Sequence, residues 1–426
     1  MKVLVVGKGG REHAFVWKLA QSDKITKLYA APGNPGMAQY AECVDIADSD
    51  LEGLADFAQK ENVDITIIGP EGPLDAGIVD LFEERGLTVF GPTQKAAQIE
   101  ADKDYALEIM HKYNVPTAPF ETYTNADVAK NQLKEWQHPL YLKVSGLAAG
   151  KGAIYCKTLE DSYKTVDEVL VDHKFGTSGD KLVAMGLLEG EEASIFGFTD
   201  GKDIVCIMPA QDHKTIDEGD VGLNTGGMGA YAPAPIITPE LFDDIVERVM
   251  KRTVDALSKE GRPYKGILFG GIIVTKDGPQ VIEFNCRMGD PETQAVLSLM
   301  KTDLMDVIIA VCNGTVADLH IELDPRAATT VVMASGGYPV AHEVGFPISG
   351  IEEAEALGDV TVFHAGTGIK DGQLVTDGGR VLAVNAVGDD IKASIDKAYE
   401  AVSKINFKNH YYRRDIGHRV LARLDG

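Results

Sequence analysis

The chain has 426 residues, 44% apolar and 25% charged, the profile of a soluble globular protein of two to four domains, and no apolar run approaches the roughly 18 residues a membrane span needs. Its formal charge of −24 argues against nucleic acid or an anionic membrane as partner, because clustered basic residues dominate such binding; small phosphorylated ligands, captured by backbone amides and single basic residues, stay possible. Five cysteines without paired spacing give neither a disulfide framework nor a zinc site, and a cytoplasmic protein with reduced thiols is expected.

The opening Met1-Lys-Val-Leu-Val-Val-Gly-Lys8 is too short an apolar stretch for a signal peptide and reads as a first strand, Lys2 to Val6. Gly7-Lys-Gly-Gly10 and a helical pattern from about Arg11 to Gln21 follow. Strand, glycine turn and helix N-terminus suit an anion, with Arg11 nearby, or else form a plain tight turn. The third glycine of a dinucleotide fingerprint is absent. Strands at Lys27 to Ala30, Ile65 to Ile68 and Thr88 to Phe90 alternate with a helix from Leu51 to Lys60 and another after Leu74, which predicts a parallel sheet. Glu71, in Gly69-Pro-Glu-Gly-Pro-Leu74, stands at a strand's carboxyl end, where it can accept from ribose hydroxyls or serve as a helix-N-terminal acid. This unit closes near residue 100.

Asp102 to Tyr113 reads as a helix and Val115-Pro-Thr-Ala-Pro119 as an extended linker. The strand Leu140 to Val144 carries Lys143 into Ser145-Gly-Leu-Ala-Ala-Gly-Lys-Gly152. Spacing and the following strand, Ile154 to Cys156, rule out a Walker A loop, yet a mobile hairpin loop with Lys151 can fold over phosphates and exclude water. Lys181 to Leu188 and Ala193 to Phe198 are strands separated by Glu189-Gly-Glu-Glu192. Gln211-Asp-His-Lys214 and Asn224-Thr-Gly-Gly-Met-Gly229 make either an anion-approaching active-site loop or a structural one. A helix is expected over Glu240 to Lys259. Gly266 to Val274 and Gln280 to Phe284 are expected to form a hairpin turning at Lys276-Asp-Gly278. Short strands at Thr329 to Ala334, Val360 to His364, Gln373 to Val375 and Arg380 to Val387, then a helix from about Asp390 to Ser403, read as a small β-rich cap.

The densest chemistry lies in Val281-Ile-Glu-Phe-Asn-Cys-Arg-Met-Gly-Asp-Pro-Glu-Thr-Gln294. On an extended chain Glu283, Asn285 and Arg287 fall on the face opposite Ile282 and Phe284. Hard cations take oxygen ligands, and Mg²⁺ is usually held by one or two side chains plus nucleotide phosphates, so Glu283 and Asn285 are a candidate metal pair with Arg287 facing the anion. A merely solvated polar face is the competing reading. The turn that follows puts Asp290 and Glu292 where open α/β sheets bind ligands.

Six motifs in order, Gly7 to His13, Gly69 to Leu74, Gly146 to Gly152, Gln211 to Lys214, Asn224 to Gly229 and Arg287 to Gln294, resemble the glycinamide ribonucleotide synthetases, the phosphoribosylamine-glycine ligases of the ATP-grasp superfamily. The resemblance implies an N-terminal parallel α/β (pre-ATP-grasp) domain at 1–101, an ATP-grasp domain at 102–325 with a mobile subdomain at about 116–188, and a small C-terminal β-rich domain at 326–426. It implies ATP, glycine and 5-phosphoribosylamine as substrates, Mg²⁺ or Mn²⁺ at Glu283 and Asn285, and a monomer or dimer. Lys103, Lys143, Gly150, Lys151, Gly152, Glu189 and Glu192 would bind ATP. Gly9, Gly10, Arg11, Glu71, Asp212, Lys214, Asn224, Thr225, Gly226, Gly227, Arg287 and Asp290 would bind the other substrates, with Gly9 and Gly10 on the phosphate and Glu71 on its hydroxyls. Arg287, Asp290 and Lys143 would be catalytic.

The chain departs from the family pattern in four places: Ser145 for an aspartate, Met185-Gly186 for two glutamates, Thr215 for an arginine and Leu223 for a proline. These bear on nucleotide affinity more than on reaction class. A ligase for another ribonucleotide is disfavoured by Arg287 to Gln294. A silent nucleotide-binding protein is disfavoured by Glu283, Asn285, Arg287 and Lys143, and a nicotinamide oxidoreductase rests on the first glycine loop alone.

Overall fold

Alternating strands and helices at the N-terminus build the expected parallel sheet. In the computed structural model, which describes residues 1–148 and 151–424, its five strands run in the order Glu42–Cys43, Lys27–Pro32, Lys2–Gly7, Ile65–Ile68, Val89–Phe90, all parallel. The order reverses beside Lys2–Gly7, so the glycine loop after Gly7 and the Gly69-Pro70-Glu71 turn flank one crevice at the carboxyl ends, the usual ligand position in such sheets. The helix after the first loop runs Gly10–Leu19.

Residues 120–186 form a separate antiparallel sheet, ordered Phe120–Tyr123, Leu182–Gly186, Leu140–Val144, Ala153–Cys156. It has its own core, including Leu133, Leu140, Leu142, Val144, Val166 and Leu182. The linker before it is stitched to the hairpin: Val281 N–H donates to Pro116 O (2.8 Å) and Thr117 Oγ1 to Val281 O (2.8 Å).

The largest sheet has nine strands, starting with the hairpin Gly278–Asn285 and Lys265–Thr275 and continuing through Glu191–Asp200, Ile204–Asp212, Gly229–Ala232, Ala327–Ser335, Arg380–Gly388 and Val360–His364, with His410–Tyr411 paired to Ala327–Ser335. Four C-terminal strands therefore extend this sheet, while Thr367–Lys370 and Gln373–Thr376 pair in a two-stranded sheet of their own. Gly229–Ala232 pairs with Gln211 and Asp212 on one side and with Ala328–Val331 on the other. Its Gly-Ala-Tyr-Ala sequence has little intrinsic strand preference, and the strand exists because two neighbours supply its hydrogen bonds. The helix expected over Glu240 to Lys259 is one helical run, Pro239–Ile245 and Arg252–Lys259 joined by a π-helical stretch, Val246–Lys251. Among the described residues no helix is long and apolar enough to cross a membrane.

The N- and C-terminal regions meet through the Pro-Gly-Asn-Pro-Gly loop. Asn34 Nδ2 donates to Lys8 O (2.8 Å) and His364 O (2.9 Å), and His364 N–H donates to His13 Nδ1 (2.7 Å). Burial holds both rings neutral, pulling His13 down to about 3 and His364 to about 4. A Cβ on Gly36 would lie 2.4 Å from His13 Cε1 and 2.6 Å from His364 Cγ. Gly36→Ala is thus expected to lower stability by about 1–3 kcal/mol, as overpacking does, measured by urea unfolding at neutral pH; an unchanged midpoint would show that the seam yields.

Candidate active site

The hairpin strand Gly278–Asn285 delivers Glu283 and Asn285 to one face, but not by simple alternation. Gly271 pairs with Glu283 whereas Ile272 pairs with Val281, so Ile282 is an extra, bulged residue. The bulge explains how Val281 and Phe284, three apart, share one core cluster with Cys286 while Glu283 and Asn285 face the other way. It also turns Ile282 O toward Lys143, whose Nζ lies 3.5 Å away.

Three ammonium groups converge on this face. Lys143 is 6% exposed, and burial depresses its pKa, with Glu283 opposing and Lys103 and Lys214 adding to the fall. Burial would push the Glu283 carboxyl up, yet Lys214, Lys143, Lys103 and Arg287 together hold it below the usual carboxylate range. Lys214 Nζ sits 2.6 Å from Glu192 Oε2; that contact depresses Glu192 and, with Glu283, raises Lys214 despite its burial. Three lysines against two carboxylates leave the site net positive, as a polyphosphate requires. Lys103 opens the helix Lys103–Lys112, and its N–H donates to Ser145 O (2.9 Å). Ser145 Oγ donates to Asp102 Oδ1 (2.6 Å) and accepts from Asp104 N–H (2.9 Å), so this serine ties the start of the glycine loop to this helix start.

The second half of the site lies against the N-terminal sheet. Arg287 Nε donates to Glu71 Oε2 (3.1 Å), and its Nη2 to Glu100 Oε1 (3.0 Å). Arg11 Nη2 approaches Glu71 at 3.7 Å, and Arg11 Nη1 donates to Met288 O (3.1 Å). Against its burial, the guanidinium groups of Arg287 and Arg11 pull Glu71 down to about 2. Gly9 N–H donates to Glu12 Oε2 (2.8 Å), and a Cβ on Gly9 or Gly10 would lie 3.7 or 3.5 Å from the Asp290 carboxylate. The first glycine loop thus faces the turn after the hairpin. Gly227 has φ +111°, and a Cβ there would meet Pro291 Cδ, Asp212 Oδ1 and Asp290 O; only glycine lets these strands approach. Thr225 N–H and Oγ1 both donate to Lys214 O (2.8 Å each).

Asp212 is pushed well up by burial and by neighbouring Glu292, against Lys214 and Arg380, and its Oδ1 is buried without a hydrogen-bond partner. Glu292, 4% exposed, accepts from Ser194 Oγ (2.9 Å). Two carboxyl groups with an idle acceptor suit a ligand ammonium.

The structure thus gathers Lys103, Lys143, Glu192, Lys214, Glu283 and Asn285 at one end and Gly9, Gly10, Arg11, Glu71, Arg287 and Asp290 at the other, with Asp212 and Gly227 between. Glu189, Lys151 and Asn224 are exposed and Gly152 is buried; Asn224 pairs with Thr215 in a small two-stranded ladder. Gly150 lies outside the described residues. Sequence reasoning missed Glu100 and Arg380, and placed Glu292 near the site without giving it a role. Glu292 stood inside a recognised motif, whereas nothing local marks Glu100 or Arg380. Arg380 reaches in from the C-terminal strands: its Nη1 donates to Gly226 O (2.7 Å) and Asp290 O (2.6 Å), and its Nη2 lies 3.2 Å from Asp290 Oδ2. At Thr215, Arg413 Nη1 donates to both O (3.2 Å) and Oγ1 (3.0 Å).

Comparison with known proteins agrees along the whole chain. Residues 1–100 match the phosphoribosylglycinamide synthetase N domain, 101–293 its ATP-grasp (A) domain and 328–419 its C domain. The chain is 47% identical over 416 residues to a phosphoribosylamine–glycine ligase of Caldanaerobacter subterraneus subsp. tengcongensis, covering 98% of this chain and 99% of that one. It is 45% identical over 427 residues to the human trifunctional purine biosynthetic protein adenosine-3, covering 99% of this chain and 42% of that protein. The crystal structure of the Thermotoga maritima phosphoribosylamine–glycine ligase superposes with a TM-score of 0.86 at 30% identity, over 98% of this chain and all of that one. A biotin carboxylase domain from Hydrogenobacter thermophilus shares the fold at 18% identity, with a TM-score of 0.72 over 96% of this chain and 91% of that one. With all three of its regions matched in sequence and the crevice assembled from their motifs, the chain belongs to the phosphoribosylglycinamide synthetase family.

Proposed function

We propose that the protein is a phosphoribosylamine–glycine ligase of purine biosynthesis, joining glycine to 5-phosphoribosylamine with conversion of ATP to ADP and phosphate. The observation that carries this reading is the two-ended crevice: a lysine-rich end with oxygen ligands beside an end that pairs Arg287 and Asp290 with the first glycine loop. ATP binds at the lysine end, its phosphates near Lys103, Lys143 and the glycine loop with Lys151, its ribose near Glu192. Among the described residues no cluster of three or more His, Cys, Asp or Glu could cage a metal. Glu283 and Asn285 instead supply two oxygen donors, which suits Mg²⁺ or Mn²⁺ held jointly with nucleotide phosphates. Such an ion would neutralise charge on the transferred phosphoryl group.

A carboxylate is a poor acyl donor, so one glycine oxygen attacks the γ-phosphorus of ATP, the bond to the bridging oxygen breaks, and glycyl phosphate and ADP form. Lys143 and Lys214 stabilise the charge on the transferred group. Asp212 and Glu292 hold the glycine ammonium. Gly9, Gly10 and Arg11 receive the phosphate of phosphoribosylamine and Glu71 its hydroxyls, while Asp290 orients the amine. The amine attacks the acyl carbon and phosphate leaves. Glycyl phosphate hydrolyses readily, so water has to be kept from it until the amine attacks.

A coupled ADP-release assay in which ATP, glycine and phosphoribosylamine are omitted in turn tests this. ADP and phosphate are expected only with all three present. AMP and pyrophosphate as products would reject the acyl-phosphate route, and turnover without glycine would reject the ligase.

A further inference from the structure

Arg380 opens the strand Arg380–Gly388 of the C-terminal region, yet its guanidinium is spent on the crevice. It lies flat on Gly226, where a Cβ would be 3.0 Å from Arg380 Cζ. Besides its bonds to Gly226 O and to both the carbonyl and the carboxylate of Asp290, Nη1 reaches Gly227 O at 3.4 Å. The same region holds Gly226 from its other side, since Gly226 N–H donates to Tyr338 Oη (3.1 Å). Two N–H groups on Nη1 serve the three carbonyls, the 3.4 Å contact to Gly227 O being the shared and weakest one, while Nη2 faces the Asp290 carboxylate; a lysine has a single nitrogen for both tasks.

These contacts join the two stretches that carry the substrate end. Gln294 Nε2 donates to Asp290 Oδ1 (2.9 Å), so Arg380 at Oδ2 completes the clamp on that carboxylate.

We propose that Arg380 is a positioning residue for the amine substrate: it fixes the Asp290 carboxylate toward the first glycine loop and locks the Gly226-Gly227 turn against it, so that the C-terminal region completes the phosphoribosylamine subsite without touching the nucleotide. The proposal rests on the ligase reading given above. Charge agrees with the geometry. Burial would raise Asp290, and Arg380 first, then Arg11, bring it below the usual carboxylate range, while Asp212, Glu292 and Tyr338 are the other titratable groups facing the guanidinium. An anionic Asp290 accepts a hydrogen bond from the amine and leaves the nitrogen lone pair free for attack.

The test compares the wild-type protein with Arg380→Met and Arg380→Lys in steady-state ligation. In Arg380→Met the KM for phosphoribosylamine is expected to rise about tenfold or more and kcat to fall, with the KM for ATP changed less than about twofold. The acid limb of kcat/KM for phosphoribosylamine should move to higher pH, because Asp290 without Arg380 protonates more easily; the substrate's own titration cancels in the comparison. Arg380→Lys should return the limb toward its wild-type position but not restore kcat. Wild-type KM values with an unmoved limb would overturn the proposal. So would an equal rise in both KM values with a lowered Tm, which marks a merely structural role. A wild-type protein without ligase activity would instead overturn the functional reading.

Discussion

Glu283→Gln is expected to lower ligation by about a thousandfold or more, the scale of losing a metal-holding charge from a phosphoryl-transfer site. The substitution keeps shape and hydrogen-bonding size but removes the carboxylate on which Lys214, Lys143, Lys103 and Arg287 converge. Two readouts follow. Half-saturation by Mg²⁺ should rise steeply, because Asn285 alone offers a neutral oxygen. Far-ultraviolet circular dichroism should be unchanged, because the backbone of Glu283 still pairs with Gly271 on the hairpin. A variant turning over at near-normal rate with the same divalent-ion dependence would remove Glu283 from the metal pair and with it the placing of the phosphates.

Arg287→Met is expected to cost about 3 kcal/mol of stability, because it strips the partner from the buried carboxylate of Glu100, with a smaller share from Glu71, whose side chain is 35% exposed and screened by solvent. Glu100, 8% exposed, and Glu71 both depend on this guanidinium. Glu71 falls from its ordinary 4.5 to about 2, so the stability it contributes is complete above pH 4.5 and is lost as pH drops toward 2. In the variant that carboxyl moves back up. The difference in unfolding free energy between the two proteins should therefore be largest above pH 4.5 and narrow below it. Urea melts across that range decide the matter; a difference independent of pH would show that Glu71 finds another partner. Ligation should be lost as well under the proposed placing of the substrates, which sets Arg287 beside the reacting groups.

The parallel sheet and the hairpin were readable because their signals are local: strand and helix periods alternate from Lys2 to Phe90, and Lys276-Asp277 interrupts two β runs. The motif residues were equally legible, since glycine loops and polar strand faces announce chemistry over a few positions. What escaped depended on distant partners. The bulge at Ile282 leaves no mark in its own residues, yet it decides which side Glu283 faces. Gly229–Ala232 looked like the end of a glycine loop and is a central strand only because Asp212 and Ala328–Val331 flank it. Arg380 reads as the first residue of an ordinary C-terminal strand, and its contacts lie 90 and 154 residues away in sequence. The β-rich C-terminal region was visible as strand content, whereas the pairing of Ala327–Ser335 with Gly229–Ala232 was not.

The unbroken ladder from the hairpin that carries Glu283 to Val360–His364 has a consequence for dissecting the protein. A cut near residue 325 would unzip Gly229–Ala232 from Ala327–Ser335 and leave its backbone groups as a raw, sticky border open to pairing with other chains. The same incision would take away the arginine that steadies Asp290. Nucleotide-handling and C-terminal halves are thus a single mechanical piece, and neither should be sought as a free-standing fragment.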